Sequence, residues 1–288
     1  MLVAALVIGG AAIAQNADSV RFVTAPRINF KLPKGIEGYT VEAVPIFNSY
    51  QTISVIRYSP KRYATILSQP APHNLTRTSE QGKAAGAVCG VNAGFWDVSI
   101  DTPSTYVRVD GKDLFAAQEF ELSRVNGLLL ISKHGIDVAR CQPDGYAAYA
   151  AHYDNILAAG PVLIDEGRAI DYADFIKTLL HEADTPAVGY YTYARRHPRT
   201  AVGRTADGDI FLIVTDGRVK GKAHGTTIAE LTQICSWLGL VEAINLDGGG
   251  SATMWCAKDG VVNHPTDNKR FDHDGERKVS STVLVKRR

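Results

Sequence analysis

The segment from Gly208 to Ser251 constrains the fold more than any other part of the chain. "GDIFLIVTDGR" is an apolar run of strand length ending in Asp216-Gly217-Arg218, "TTIAELTQICSWLGL" has helical periodicity, and "VEAINLDGGGS" is a second apolar run ending in Asp247 and three glycines. Thr227 and Glu230 stand in capping-box register; Ile228, Leu231, Cys235 and Leu238 make one apolar face, and Gly239 supplies the stop. Strand, helix and strand within about 35 residues predict a crossover unit with two parallel strands whose C-terminal ends share one sheet edge. Asp216 and Asp247 are therefore expected together on one rim, where ligands of such sheets collect.

Around this unit the pattern is mixed. Residues 15–83 carry β-leaning pieces such as "YTVEAVPIFN" and "TISVIRYS", and are read as an N-terminal β-rich region packed on the main domain. "TSEQGKAAGAVCGVNAGFW" reads as a helix running into a buried strand that ends in polar Asn92, a candidate wall of a site. "STYVRVDGK", "NGLLLISKHGIDVAR" and "NILAAGPVLIDEGRAI" read as scaffold strands joined by turns. "DYADFIKTLLHEA" places Tyr172, Phe175, Ile176, Leu179 and Leu180 at helical spacing on one face. The expected class is α+β (mixed α/β): a central mixed β-sheet with flanking helices and the parallel strand-helix-strand unit near the C-terminus.

Two carboxylates on one rim can divide labour, because environment and mutual repulsion push their pKa values apart and leave one as acid and the other as base or nucleophile. Glycoside hydrolysis has that requirement. Gly248, Gly249 and Gly250 strip every side chain from the turn after Asp247, so backbone N–H groups can face a ligand oxygen, and Ser251 and Thr253 add hydroxyls. Just upstream, Arg195, Arg196, Arg199 and Arg204 fall within ten residues. Arg199, held in Pro-Arg-Thr before a strand, is the first choice for a bidentate anion clamp, with Thr200 beside it and Arg218 after the first Asp-Gly. The bland readings are a solvated basic loop, an ordinary Asp-Gly turn at Asp216, and an Asn92 that ties off a loop.

Composition bounds the partners. The 288 residues are 45% hydrophobic with 31 basic against 30 acidic side chains, so no overall field favours nucleic acid. The run Leu2 to Ala14, ending Ala12-Ile13-Ala14, resembles a signal peptide over residues 1–14 and makes the expected location exported, periplasmic or extracellular. No run is long enough for a stable membrane span. The four cysteines lack zinc spacing and the eight histidines, His197 and His224 among them, lack ligand spacing. Asp272 to Glu276 resembles the start of a calcium loop but lacks the later ligands. No metal or cofactor is expected, a divalent cation such as calcium being the one alternative. Neither a Walker pattern nor a serine-hydrolase elbow is present, because no Lys follows the glycines and residue 253 is Thr253.

The run "EAINLDGGGSATM", together with "VNAGFW", "AAGPVLIDEGR", "HPRTAVGRTADGDIFLIVTDGR", "GTTIAELTQICSWLG" and the closing "VVNHPTDN…GERKV", resembles the phosphodiester glycosidases over residues 84–288, in order. The resemblance implies a mixed α/β domain over that stretch and hydrolysis of a sugar joined through its anomeric carbon to a phosphodiester. It implies a carbohydrate phosphodiester, such as an N-acetylglucosaminyl one, as partner. On it Arg199, the Gly248 to Gly250 amides, Ser251 and Thr253 hold phosphate, while Asp247 and Asp216 handle the anomeric centre or its water. Family members usually carry Phe-Phe where this chain has Phe95-Trp96, which touches the sugar pocket. Two other readings share the same residues: a glycan-binding protein without catalysis, and a metal-dependent phosphodiesterase in which Asp216 and Asp247 bind a cation.

Overall fold

The computed structural model describes residues 16–71, 73–173 and 193–288. Three antiparallel sheets enclose the core. The largest has eight strands in the order Ile28–Asn29, Ile36–Ile46, Ser49–Tyr58, Ile210–Thr215, Arg199–Thr205, Leu240–Asn245, Val162–Asp165 and Arg168–Ala169. One five-stranded sheet is centred on Asn155–Ala159 and Gly127–Ser132. The other runs Gly260–Val261, Met254–Cys256, Cys89–Asn92, Thr282–Arg287 and Tyr63–Ser68.

Period-two alternation explains why the large sheet is buried on both faces. Along Ile210–Thr215, Ile210, Leu212 and Val214 enter the core shared with the two smaller sheets, while Phe211 and Ile213 pack on the opposite side. That opposite side is covered by the helices Ala17–Thr24 and Ile228–Trp237, through Phe22 and through Ile228, Leu231, Ile234 and Cys235. The expected capping box is present: Thr227 Oγ1 accepts from Glu230 N at 3.2 Å and Glu230 Oε2 accepts from Thr227 N at 2.9 Å. Gly239 ends this helix with φ 78°, the left-handed geometry that glycine adopts without strain. Asp110 and Gly111, both with positive φ, close the Val107–Val109/Lys112–Phe115 hairpin.

The expected mixed sheet with a parallel strand-helix-strand unit is corrected. Ile210–Thr215 and Leu240–Asn245 run in the same direction but do not pair; Arg199–Thr205 lies between them, antiparallel to both. Every paired strand in the described residues is antiparallel to its neighbour. The reason is physical: an unbroken apolar run marks a strand buried on both faces, and that burial is reached here by stacking antiparallel sheets and helices instead of by parallel crossovers. The N-terminal region supplies strands to the two sheets that frame the site, Ser49–Tyr58 pairing with Ile210–Thr215 and Tyr63–Ser68 with Thr282–Arg287. The expected leader at residues 1–14 and most of the expected helix, with Phe175, Ile176, Leu179 and Leu180, lie outside the described residues. Among the described residues no helix is long and apolar enough to cross a membrane. All four cysteines are free thiols, three of them buried.

Candidate active site

Because Ile210–Thr215 and Leu240–Asn245 flank Arg199–Thr205 and point the same way, the loops after them emerge at one sheet edge. The Asp247 turn is bolted there by buried Asn92. Its Nδ2 donates to Asp247 O at 2.6 Å, and its Oδ1 accepts from Thr200 Oγ1 at 2.7 Å and from Thr253 N at 3.0 Å. Thus Asn92, Thr200 and Thr253 form the frame that holds Asp247, and the Thr253 hydroxyl has no partner among the described residues.

A second buried asparagine couples the other motif to the same turn. Asn263 Nδ2 donates to Asp216 Oδ1 at 2.8 Å and to Ala252 O at 3.0 Å, while its Oδ1 accepts from Met254 N at 2.7 Å. Asp216 also accepts from His264 N and, at 2.9 Å, from His264 Nδ1. Its carboxylate is 1% exposed and engaged on both oxygens, so its visible work is to orient Asn263 and His264. The His264 ring stacks on Phe271 at 3.8 Å and on His273 at 4.6 Å.

Asp247 has a different environment. Burial pushes its carboxyl up to about 6, against the pull of Arg124, a Ser251 hydrogen bond and Arg277; Glu121 adds to the rise. The carboxylate that acts on Asp247 is therefore Glu121, a residue that sequence reasoning left among scaffold strands. Glu121 is 1% exposed and accepts from Ser104 Oγ at 2.5 Å and from Arg124 Nε at 2.5 Å. Arg124 in turn lies over the Phe95 ring at 4.0 Å. An Arg three residues after a Glu looks like a solvated pair in sequence, and only burial shows otherwise.

The bare backbone after Asp247 is explained by its neighbours. A Cβ on Gly248 would meet Pro198 O at 2.5 Å, one on Gly250 would meet Arg277 Nη2 at 2.6 Å, and Gly249 has φ 61° with Arg218 Nη2 3.1 Å from its Cβ position. Two guanidinium groups are thus draped over the turn. The Gly249 N–H is donated to Pro198 O at 2.8 Å, into the framework. Arg199, expected as the anion clamp, is 5% exposed, and its Nε and Nη2 donate to Thr226 O at 3.0 Å and Arg195 O at 2.7 Å. Burial, then Arg124, lower its pKa to about 9, so it remains a cation at neutral pH. His197 is pushed down to about 4 by burial and by Arg199, Arg218 and Arg195, which makes it neutral at pH 7 and reports the positive field of this edge.

Of the expected residues, the structure gathers Asn92, Thr200, Gly248 to Gly250, Ser251, Thr253 and Arg218 around Asp247. Asp216 joins them only through Asn263. Among the described residues no group of three or more His, Cys, Asp or Glu side chains is arranged to hold an ion. In the calcium-loop-like run, Asp272 Oδ1 accepts from Asn268 Nδ2 at 2.7 Å and from Asp274 N at 3.0 Å.

The sequence profile of the phosphodiester glycosidase family matches residues 85–286. The mouse N-acetylglucosamine-1-phosphodiester alpha-N-acetylglucosaminidase is 36% identical over 93 residues, which are 30% of this chain; the chain spans only 16% of that relative's length. In the fold, the catalytic domain of the zebrafish enzyme of the same name superposes with a TM-score of 0.69 at 15% identity, covering 96% of this chain and 94% of that one. A hypothetical protein from Synechocystis superposes with a TM-score of 0.63 at 16% identity, over 92% of this chain and 64% of that one.

Proposed function

The chain belongs to the phosphodiester glycosidase family, and from that premise we propose that it hydrolyses the bond between a sugar's anomeric carbon and a phosphodiester. The observation that supports this most is the setting of Asp247: a carboxyl raised to about 6, next to a glycine turn crossed by two guanidinium groups. A carboxylate poised near neutrality suits proton transfer from an attacking water. In the proposed reaction Asp247 takes that proton as the water adds to the anomeric carbon, and Ser251, which bonds its carboxylate, fixes its direction. Asn92 and Thr200 hold the Asp247 main chain in place, while burial raises its carboxyl pKa and Arg124 opposes that rise. Asp216 acts at one remove, as a positioning residue for Asn263.

The first substrate to try is the alpha-N-acetylglucosaminyl phosphodiester in the mouse relative's name. The leader-like run Leu2 to Ala14 supports the part of this proposal that sets the reaction outside the cytoplasm. Product identification tests the bond position. Free sugar with a phosphate monoester supports the proposal; sugar phosphate with a free alcohol means cleavage at phosphorus and overturns it. Asp247→Asn is expected to lower kcat by a factor on the order of 100 or more while the fold survives. Unchanged turnover in that variant removes Asp247 from the chemistry.

A further inference from the structure

Beside Gly249 and Gly250 lies a cavity of about 310 Å³ lined by Arg218, Val219, Thr266, Asp267, Lys269 and Arg277. Three cations face one carboxylate, and that carboxylate is already used: Asp267 Oδ1 accepts from Arg277 Nε at 2.9 Å and from its Nη2. Arg218 has no hydrogen bond or ion pair among the described residues. Arg218 is exposed at the mouth of the cavity, and desolvation and then the Arg277 guanidinium push its pKa down against the opposing pull of Asp267. Arg218 and Lys269 are also both carried on left-handed backbone, φ 65° and 60°, a conformation that costs a non-glycine residue about 1 kcal/mol or more and collects at binding sites. Finally, Thr266 is 6% exposed and its hydroxyl lacks a partner among the described residues. Clustered cations, strained backbone and an unpaired buried hydroxyl all point to a bound oxyanion that supplies the missing acceptors.

We propose that this cavity is the leaving-group pocket of the reaction, in which Arg218, Lys269, Arg277 and Thr266 bind the phosphate of a glycosyl phosphodiester. The assignment rests on the hydrolysis proposed above. When the bond between anomeric carbon and oxygen breaks, its electron pair stays on the departing oxygen, so a phosphodiester monoanion becomes a phosphate monoester dianion. Water adds to the carbon and its proton goes to Asp247, which leaves free sugar, the monoester and a protonated carboxyl. The pocket's formal surplus of two positive charges matches the product dianion better than the monoanionic substrate. Stabilisation therefore grows along the reaction, which is what accelerates it, and no acid is needed on the leaving oxygen. A sugar carrying a neutral aglycone would leave the surplus charge unmatched and be a poor substrate.

The probe is inorganic phosphate, titrated calorimetrically into the full chain at low ionic strength. The wild type is expected to bind it. Arg218→Met should weaken binding by about tenfold or more, and Lys269→Met by a smaller factor, in keeping with charge-assisted hydrogen bonds. Arg218 and Lys269 are both exposed, so both variants are expected to keep the fold. No phosphate binding by the wild type, or equal affinity in all three proteins, overturns the pocket. The two proposals fail separately. Sugar release with kcat/KM undiminished in both variants removes the pocket and leaves the hydrolysis; phosphate binding that needs Arg218 and Lys269, in a protein that cleaves no glycosyl bond, keeps the pocket and removes the hydrolysis.

Discussion

Single residues carry this site, and their energetics can be separated from their chemistry. A carboxyl whose folded pKa lies above its unfolded value contributes stability fully at low pH and loses it as pH rises through the folded pKa. For Asp247, lifted from 3.8 to about 6 mainly by burial, that window runs from about pH 4 to 6. Asp247→Asn should therefore be more stable than wild type at pH 8, by on the order of 1–2 kcal/mol, with little difference at pH 4. Thermal melts of both proteins at the two pH values check this, and an equal difference at both would contradict it. Asn92 is the opposite case, a group that gives stability. Asn92→Leu keeps the branched shape but strands the Thr253 N–H, the Thr200 hydroxyl and the Asp247 carbonyl in a buried place, so a loss on the order of 3 kcal/mol is expected in urea unfolding.

At the scale of elements, the glycine turn and the helix stop have the same local chemistry and different consequences. Gly239 has φ 78° with nothing within 4 Å of its Cβ position, whereas a Cβ on Gly250 would run into the Arg277 guanidinium at 2.6 Å. Gly239→Ala should cost about 1 kcal/mol of stability and leave kcat/KM alone, whereas Gly250→Ala should displace Arg277 and lower kcat/KM by a factor of about ten or more. Steady-state kinetics on the two variants separates these outcomes. Elements whose cause is local were legible in the sequence: the Thr227 capping box, the Gly239 stop and the Asp110-Gly111 hairpin. Strand order was not, because "FLIVT" satisfies a strand buried on both faces whichever way its neighbour runs. A strand was expected after Arg199, but nothing in "RTAVGRT" showed that it lies between the two strands that end in the acidic motifs. Glu121 was passed over, and Asn263 and His264, though inside the quoted run "VVNHPTDN", were given no role, for a related reason. Their types are ordinary in loops, and only the closure of distant segments buries them against Asp247 and Asp216.

For the whole molecule, the decisive feature is that the sheets are built from segments far apart in sequence. Thr282–Arg287 lies between Cys89–Asn92 and Tyr63–Ser68 and pairs with both, with Val283 fully buried opposite Val91 and Leu67. Val283→Asp would set an unpaired carboxylate in that core, and a loss of more than about 4 kcal/mol is expected, enough to abolish a cooperative melt. A sharp transition near the wild-type temperature, followed by circular dichroism, would show that this sheet is not needed for the fold. The same pairing also governs how the protein is made. Asn92 reaches its Thr253 partner 161 residues later, and its own strand is edged by one that follows later still. When Asp247 leaves the ribosome every strand of the eight-stranded sheet beneath it has been made, but the sheet that carries Asn92 still lacks Met254–Cys256 and Thr282–Arg287, so the frame that bolts the Asp247 turn can be completed only after those segments follow.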